Sequence, residues 1–164
     1  LIEGMESLEG AARKKSLSTL WGSAMNALAR REHSEHELRN KLKRKTESAG
    51  LSEALIDEVI AALLKDDLLS DERFAYMLCR SRFNKGVGPV RLAHELDQHC
   101  IRSEWAEVAM AKYADAWLDH LQELNLRKYG EAPPEDYKAW TKRARFFQQR
   151  GFTTSQIQQA IPRW

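Results

Sequence analysis

The spacing of apolar residues constrains this chain more than any other feature, because it follows the helical period nearly everywhere and runs through three rounds. Leu17, Leu20, Trp21, Ala24, Met25 and Leu28 fall at i, i+3, i+4, i+7, i+8 and i+11, one face of a helix. Ser34 followed by Glu37 has the form of a capping box opening a second helix through Leu38 and Leu42, and Gly50 breaks it. Ser52 is expected to cap a third helix carrying Leu55, Ile56, Val59, Ile60, Leu63 and Leu64. The pattern resumes at Asp71 with Phe74, Met77 and Leu78. Gly86 suits the left-handed end of that helix and Pro89 the first turn of the next, which Leu92 and Leu96 line. Ser103 is expected to cap a helix bearing Trp105, Val108 and Ala109. A third round begins near Tyr113, with Trp117, Leu121 and Leu124 on one face. Residues 130–136, with Pro133 and Pro134, form a loop, residues 137–149 read as helix, and Thr153 with Gln156 gives a last capping box before Ile157, Ala160 and Ile161. No segment alternates as a half-buried strand does. The expected class is all-α.

The three rounds are expected to be tandem repeats. With Leu51, Ile101 and Phe152 as anchors, Ile56, Ala106 and Ile157 lie five residues on; Val59, Ala109 and Ala160 lie eight on; Ile60, Met110 and Ile161 lie nine on. Leu96 and Phe147 precede their anchors by five, whereas Leu42 precedes Leu51 by nine, which implies about four inserted residues in the first unit. The expected division is a disordered or cloning-remnant segment at residues 1–15, then repeats at 16–69, 70–111 and 112–164. Each repeat has about 50 residues in three helices, too few for a large core of its own. Units that bury one another's faces are expected to form an elongated, curved body, a geometry suited to binding something extended.

Among the 164 residues, 43% are hydrophobic and 30% charged, an ordinary folded composition with no apolar run long enough to span a bilayer. No secretory leader is visible, and Cys79 and Cys100 lack metal-type spacing, so a reduced, cytoplasmic protein is expected. A net charge of +2 decides nothing, but its distribution is uneven. Residues 30–45 carry seven basic side chains against three acidic, and residues 142–164 carry five basic and none acidic. Such a two-signed surface suits contact with both nucleic acid and protein, and suits solvated helix faces equally.

Catalytic clusters are weak. His33 and His36 lack a third ligand and read as solvated surface. His99 and Cys100, adjacent on a helix end, point in different directions. Lys85, Gly86, Val87 and Gly88 lack the leading glycine and strand of a phosphate loop. No reaction, metal or cofactor is expected.

In residues 71–101 the chain resembles the RecX family, through Asp71, Arg73, Phe74, Ala75, Ser81, Arg82, Lys85, Gly86, Gly88, Pro89, Arg91, Leu92, Glu95, Leu96 and Ile101. Arg31, Glu32, His33, Ser34, Glu37, Leu38, Lys41 and Leu42 resemble the family's basic second helix. Arg127, Lys128, Tyr129 and Gly130, followed by Arg150, Gly151 and Phe152, give a third match. The resemblance implies three tandem three-helix repeats in a non-enzymatic regulator. Such a protein lodges on the RecA–DNA filament and suppresses strand exchange, ATP hydrolysis and coprotease activity. It thereby modulates recombination, repair and the SOS response. Family members often carry Gly where this chain has Cys100, so the middle break is expected to be arranged differently.

The expected partners are the RecA filament and single- or double-stranded DNA, bound by a monomer, since no coiled-coil seam is present. Arg73, Arg82, Lys85 and Arg91 cluster around one helix junction, where they serve either a partner's phosphates or acidic patch, or ion pairs with Asp71 and Glu95. The second candidate set is Arg39, Lys41, Lys43, Arg44 and Lys45, and the third is Lys142, Arg143, Arg145 and Arg150. A rival reading is a stand-alone DNA-binding module of the helix-turn-helix kind, although no helix here gathers an obvious base-reading cluster.

Overall fold

The structure, a computed structural model, describes residues 2–164; Leu1 lies outside the described residues. Among the described residues there are nine helices and no strand: α1 (Ile2–Arg30), α2 (Glu35–Ala49), α3 (Ala54–Lys65), α4 (Asp71–Asn84), α5 (Pro89–Gln98), α6 (Ser103–Ala111), α7 (Trp117–Tyr129), α8 (Tyr137–Gln149) and α9 (Thr154–Ala160). They form two compact units, one ending at Phe74 and the other Ala75–Trp164, with the boundary inside α4.

The first unit closes an aliphatic core between α1, α2 and α3. Leu20, Leu38, Leu42, Ile60 and Leu63 are fully buried, with Ala24, Ala27, Ile56, Val59 and Leu69 beside them and Leu17, Trp21 and Met25 packed against the edge. Apart from Ala27 and Leu69, these are positions that the helical spacing marks; Leu64, expected on the same face, is exposed. Truncating one of the leucines to alanine would cost about 2–5 kcal/mol, since it removes apolar contact and leaves a cavity.

Residues 2–15, expected to be disordered, are instead the exposed first half of α1. The segment lacks proline and, despite Gly4 and Gly10, carries three Glu, two Ala and two Lys, all good helix formers, so it propagates from a nucleus that tertiary packing fixes from Leu20 onward. An Arg13–Glu58 ion pair also ties it to α3.

All three anchors are donors in the same helix-ending bond. Leu51 N donates to Thr46 O at 2.9 Å, Ile101 N to Leu96 O at 3.1 Å and Phe152 N to Phe147 O at 3.1 Å. The residue before each anchor is left-handed: Gly50 at φ 67°, Cys100 at φ 56° and Gly151 at φ 99°. This corrects two expectations. The middle break is arranged like the outer two, with Cys100 accepting the strained conformation at a cost of about 1 kcal/mol. Nor is there an insertion before the first anchor, because buried Thr46 stands where Leu96 and Phe147 stand in the later repeats. Its hydroxyl donates to Lys43 O at 2.7 Å, which satisfies the group inside the core. The extra length of α2 lies at its N-terminal end.

Caps follow the sequence in part. Ser34 Oγ accepts from Glu37 N at 3.0 Å, and Thr153 with Gln156 makes both halves of a capping box. Ser103 is the first residue of α6 rather than its cap, a position Arg102 takes without a side-chain bond. Ser52 accepts from Ala54 N at 3.3 Å, but the cap position of α3 is Glu53.

The second unit adds aromatic side chains to an aliphatic core that includes Leu78, Leu92, Leu96, Leu121 and Ile157. α9 packs on α7 and α8, and α5 on α6. Phe147, Phe152 and Trp117 are buried among them in edge-on contacts, and Phe83 stacks on Tyr113 and on His120, whose Nε2 lies 2.7 Å from Phe83 O. The α4–α5 junction meets the α8–α9 junction backbone to backbone. Gly88 N donates to Arg150 O at 2.7 Å and Val90 N to Gly151 O at 2.9 Å. A β-carbon on Gly88 would lie 2.4 Å from Gly151 C, and one on Gly151 would lie 2.4 Å from Arg91 Cβ. Only glycine permits that approach.

Candidate nucleic-acid interface

Two helices of the first unit each present a stripe at i, i+3, i+4 and i+7. From α1 come Ser23, Asn26, Ala27 and Arg30; from α2 come Lys41, Arg44, Lys45 and Ser48. Their stripes line a groove of about 470 Å³ with four cations, two hydroxyls and an amide on its walls and no carboxylate. Below it, the apolar sides of the same helices fill the core, so burial of Leu20, Ala24, Leu38 and Leu42 fixes the rotation that turns the basic stripes toward each other.

The groove's charge is left over after pairing elsewhere. Arg39 holds Glu35 at 3.0 Å and Asp57 at 2.5 Å, Arg31 holds Glu37, Arg13 holds Glu58, and Arg73 holds Glu32 at 2.9 Å. Those carboxylate contacts raise the guanidinium pKa of Arg31, Arg39 and Arg73. Arg30, Lys41, Arg44 and Lys45 form no ion pair among the described residues. Clustered cations with no internal counter-charge attract an external one, and hydroxyl and amide donors beside them suit phosphate oxygens.

The predicted basic residues divide accordingly. Lys41, Arg44 and Lys45 meet in the groove, Lys43 is exposed elsewhere on α2, and Arg39 is committed to Glu35 and Asp57. Arg73 clamps the first unit, bonding Glu32 and donating to Asp67 O at 2.8 Å, while Asp71 Oδ1 accepts from Glu35 N at 2.7 Å at the start of α2. Arg82 is in the second unit and gives its Nε to both oxygens of Glu95, at 2.8 and 3.0 Å. Lys85 is exposed, and the Arg91 backbone packs on Gly151. Arg143 lies 4.7 Å over the Tyr129 ring and donates to Ala132 O at 3.3 Å, and Arg150 donates to Lys85 O at 2.5 Å and to Gly86 O at 3.3 Å. Lys142 and Arg145 are exposed on α8.

Sequence reasoning missed Ser23, Asn26 and Arg30. Their i, i+3, i+7 spacing on the polar side of α1 was a usable signal, but only the pairing of α1 with α2 makes it a wall. His33, expected at the surface, is buried at 2% exposure. Its Nδ1 lies 3.1 Å from Arg31 O and its Nε2 has no hydrogen-bond partner, so burial lowers its pKa against the opposing pull of that carbonyl and Glu37. Burial likewise pushes the Cys79 thiol up to about 11, far from a reactive thiolate. No helix among the described residues is long and apolar enough to cross a membrane.

Comparison with known proteins gives a consistent result. Three family models match in order: RecX, first three-helix domain, at residues 21–63; RecX, second three-helix domain, at 70–110; and RecX, third three-helix domain, at 115–161. The chain is 35% identical to the regulatory protein RecX of Halorhodospira halophila, over 84% of this chain and 83% of that one. It is 36% identical to that of Salmonella paratyphi A, over 92% of this chain and 95% of that one. The crystal structure of RecX from Lactobacillus salivarius superposes with a TM-score of 0.69 at 23% identity, covering 88% of this chain and 94% of that one. A second crystal structure, of a regulatory protein RecX, gives 0.74 at 16% identity over 94% and 75%.

Proposed function

Because the chain belongs to the RecX family, as three matched domains and relatives 35–36% identical over most of its length establish, we propose that it regulates the RecA recombinase on DNA. In this reading it is not an enzyme. It binds the RecA–DNA filament and inhibits strand exchange, ATP hydrolysis and coprotease activity, which restrains recombination, repair and the SOS response.

The observation that supports this most directly is the α1–α2 groove. Arg30, Lys41, Arg44 and Lys45 face one another without internal counter-ions, and Ser23 and Asn26 add neutral donors, while the Ser48 hydroxyl donates to Lys45 O. Phosphates of a strand carried in the filament would supply the missing charge, releasing condensed counter-ions as they do so. Exposed Lys43 would add to the same field.

The experiment is a RecA filament ATPase assay with this protein titrated in below the RecA concentration. Hydrolysis is expected to fall, and to fall less with the Arg44→Gln/Lys45→Gln variant. Unchanged hydrolysis with the folded wild-type chain rejects the reading. The same groove also fits a stand-alone DNA-binding module. A sequence-selective footprint on duplex DNA in the absence of RecA, with no effect on the filament, would favour that alternative.

A further inference from the structure

The second unit carries a different kind of basic site. Lys85 and Gly86 from the α4–α5 junction, Leu124, Arg127 and Lys128 from α7, and Phe146, Phe147 and Arg150 from α8 enclose a recess of about 280 Å³. Its floor is hydrocarbon: Leu124, Phe146 and Phe147. Its rim is cationic: Lys85, Arg127, Lys128 and Arg150. The recess exceeds the roughly 150 Å³ in which a benzene ring is accommodated in a protein interior, and therefore has room for one large apolar side chain.

Part of this arrangement has an internal explanation. Arg127 and Lys128 sit in the last turn of α7, where cations offset the helix dipole. Arg150 pins the loop through the carbonyls of Lys85 and Gly86. Neither accounts for exposed Lys85, for the absence of an ion-pair partner for any of the four among the described residues, or for an apolar floor left open beneath them. The opening depends on Gly86: at φ 76°, a β-carbon there would lie 3.2 Å from both methyls of Leu124 and would occupy the recess.

We propose that this recess binds an acidic peptide segment of a partner protein, with one bulky apolar side chain against Leu124 and the edge of Phe146, backed by buried Phe147, and flanking carboxylates on Lys85, Arg127 and Lys128. A nucleic acid fits less well. The floor side chains Leu124, Phe146 and Phe147 offer no donor or acceptor to a base edge, and a base seated on them would leave buried polar atoms unpaired. Nor is an aromatic face open for stacking. Phe147 is buried edge-on against Phe146 and Phe152, and the Lys128 ammonium lies 4.2 Å from the centre of the Phe146 ring. An aliphatic or phenyl side chain leaves nothing unsatisfied, and a carboxylate matches the Arg127 fork. The inference concerns a surface the DNA groove does not include, and its test uses no recombinase, so the two readings stand or fall separately.

The test is fluorescence anisotropy on the full chain with end-blocked, labelled probes: an acidic peptide with one central phenylalanine, the same peptide with alanine there, and oligo(dT) of matched charge. The phenylalanine peptide is expected to bind about tenfold or more tightly than the alanine peptide, the discrimination a filled apolar pocket provides. Lys85→Glu and Arg127→Glu, both at exposed positions, are expected to weaken that peptide about tenfold each, the first at unchanged melting temperature and the second at a slightly lower one because it reverses a charge at the C-terminus of α7, while oligo(dT) binding stays as in the wild type. Equal binding of the two peptides, or indifference to both charge reversals, overturns the proposal. Loss of oligo(dT) binding in Arg127→Glu, with the peptides unaffected, also overturns it and assigns the recess to nucleic acid.

Discussion

The two units solve the same packing problem with different materials, and their exposed surfaces differ accordingly. The first is built on leucine, isoleucine and alanine, held at its polar edge by Asp71 on Glu35 N and by Arg73 between Glu32 and Asp67. Pairing consumes most of its nearby carboxylates and leaves a polar cationic groove. The second adds buried Trp117, Phe147 and Phe152 to its leucines and isoleucines and closes on a glycine-to-glycine crossing, and its cations surround a hydrophobic recess. Similar numbers of basic residues therefore present different chemistry. Hydroxyls and an amide between the charges favour phosphate, whereas hydrocarbon between them favours an acidic chain with an apolar anchor.

The contrast in construction breaks most visibly at the crossing. Gly151→Ala adds a methyl 2.4 Å from Arg91 Cβ and 2.7 Å from Arg91 N while forcing a left-handed alanine. It is expected to destabilise the protein by about 3 kcal/mol or more, measured by urea denaturation. The clamp of the first unit is weaker. Asp71→Ala removes a charge-assisted bond to the α2 N-terminus and is expected to cost about 1–2 kcal/mol in the same assay. Cys100 is the only one of the three helix breaks without glycine, so Cys100→Gly should raise stability by about 1 kcal/mol; no gain would mean the left-handed cysteine is unstrained.

The smallest effect concerns pH. His33 titrates below its ordinary range in the folded chain because its neutral ring is buried, so the unfolded chain binds a proton more readily. Its contribution to stability is full above the ordinary imidazole range and is lost as pH falls through that range toward the folded value. Urea midpoints of His33→Asn and the wild type should therefore converge on acidification; a constant difference would show that the ring's titration does not matter.

What could be read from the sequence was what a short period reports. The anchors Leu51, Ile101 and Phe152, the left-handed Gly86 and the Thr153–Gln156 box involve residues close along the chain, and apolar identity or turn chemistry marks them. Thr46 escaped because its core position is filled by a polar residue that satisfies itself locally, which shifted the apparent register of the first repeat. His33 escaped because residue type suggested solvent and tertiary packing overrode it. Ion pairs such as Arg73–Glu32 and Arg82–Glu95 join distant segments, so the sequence left them open as alternatives to partner contacts. Both candidate sites needed helix pairing before their residues met: Arg30 opposite Lys41, and Lys85 beside Arg127 and Arg150.

The central claim is that the α1–α2 groove neutralises phosphates. It is tested most directly by the salt dependence of oligo(dT) binding for the wild type and for Arg30→Gln/Lys41→Gln/Lys45→Gln. On this account the log–log slope becomes shallower by about 0.7 for each contact removed, with the melting temperature nearly unchanged because these side chains pair with nothing inside the protein. An identical slope in the folded variant would contradict it.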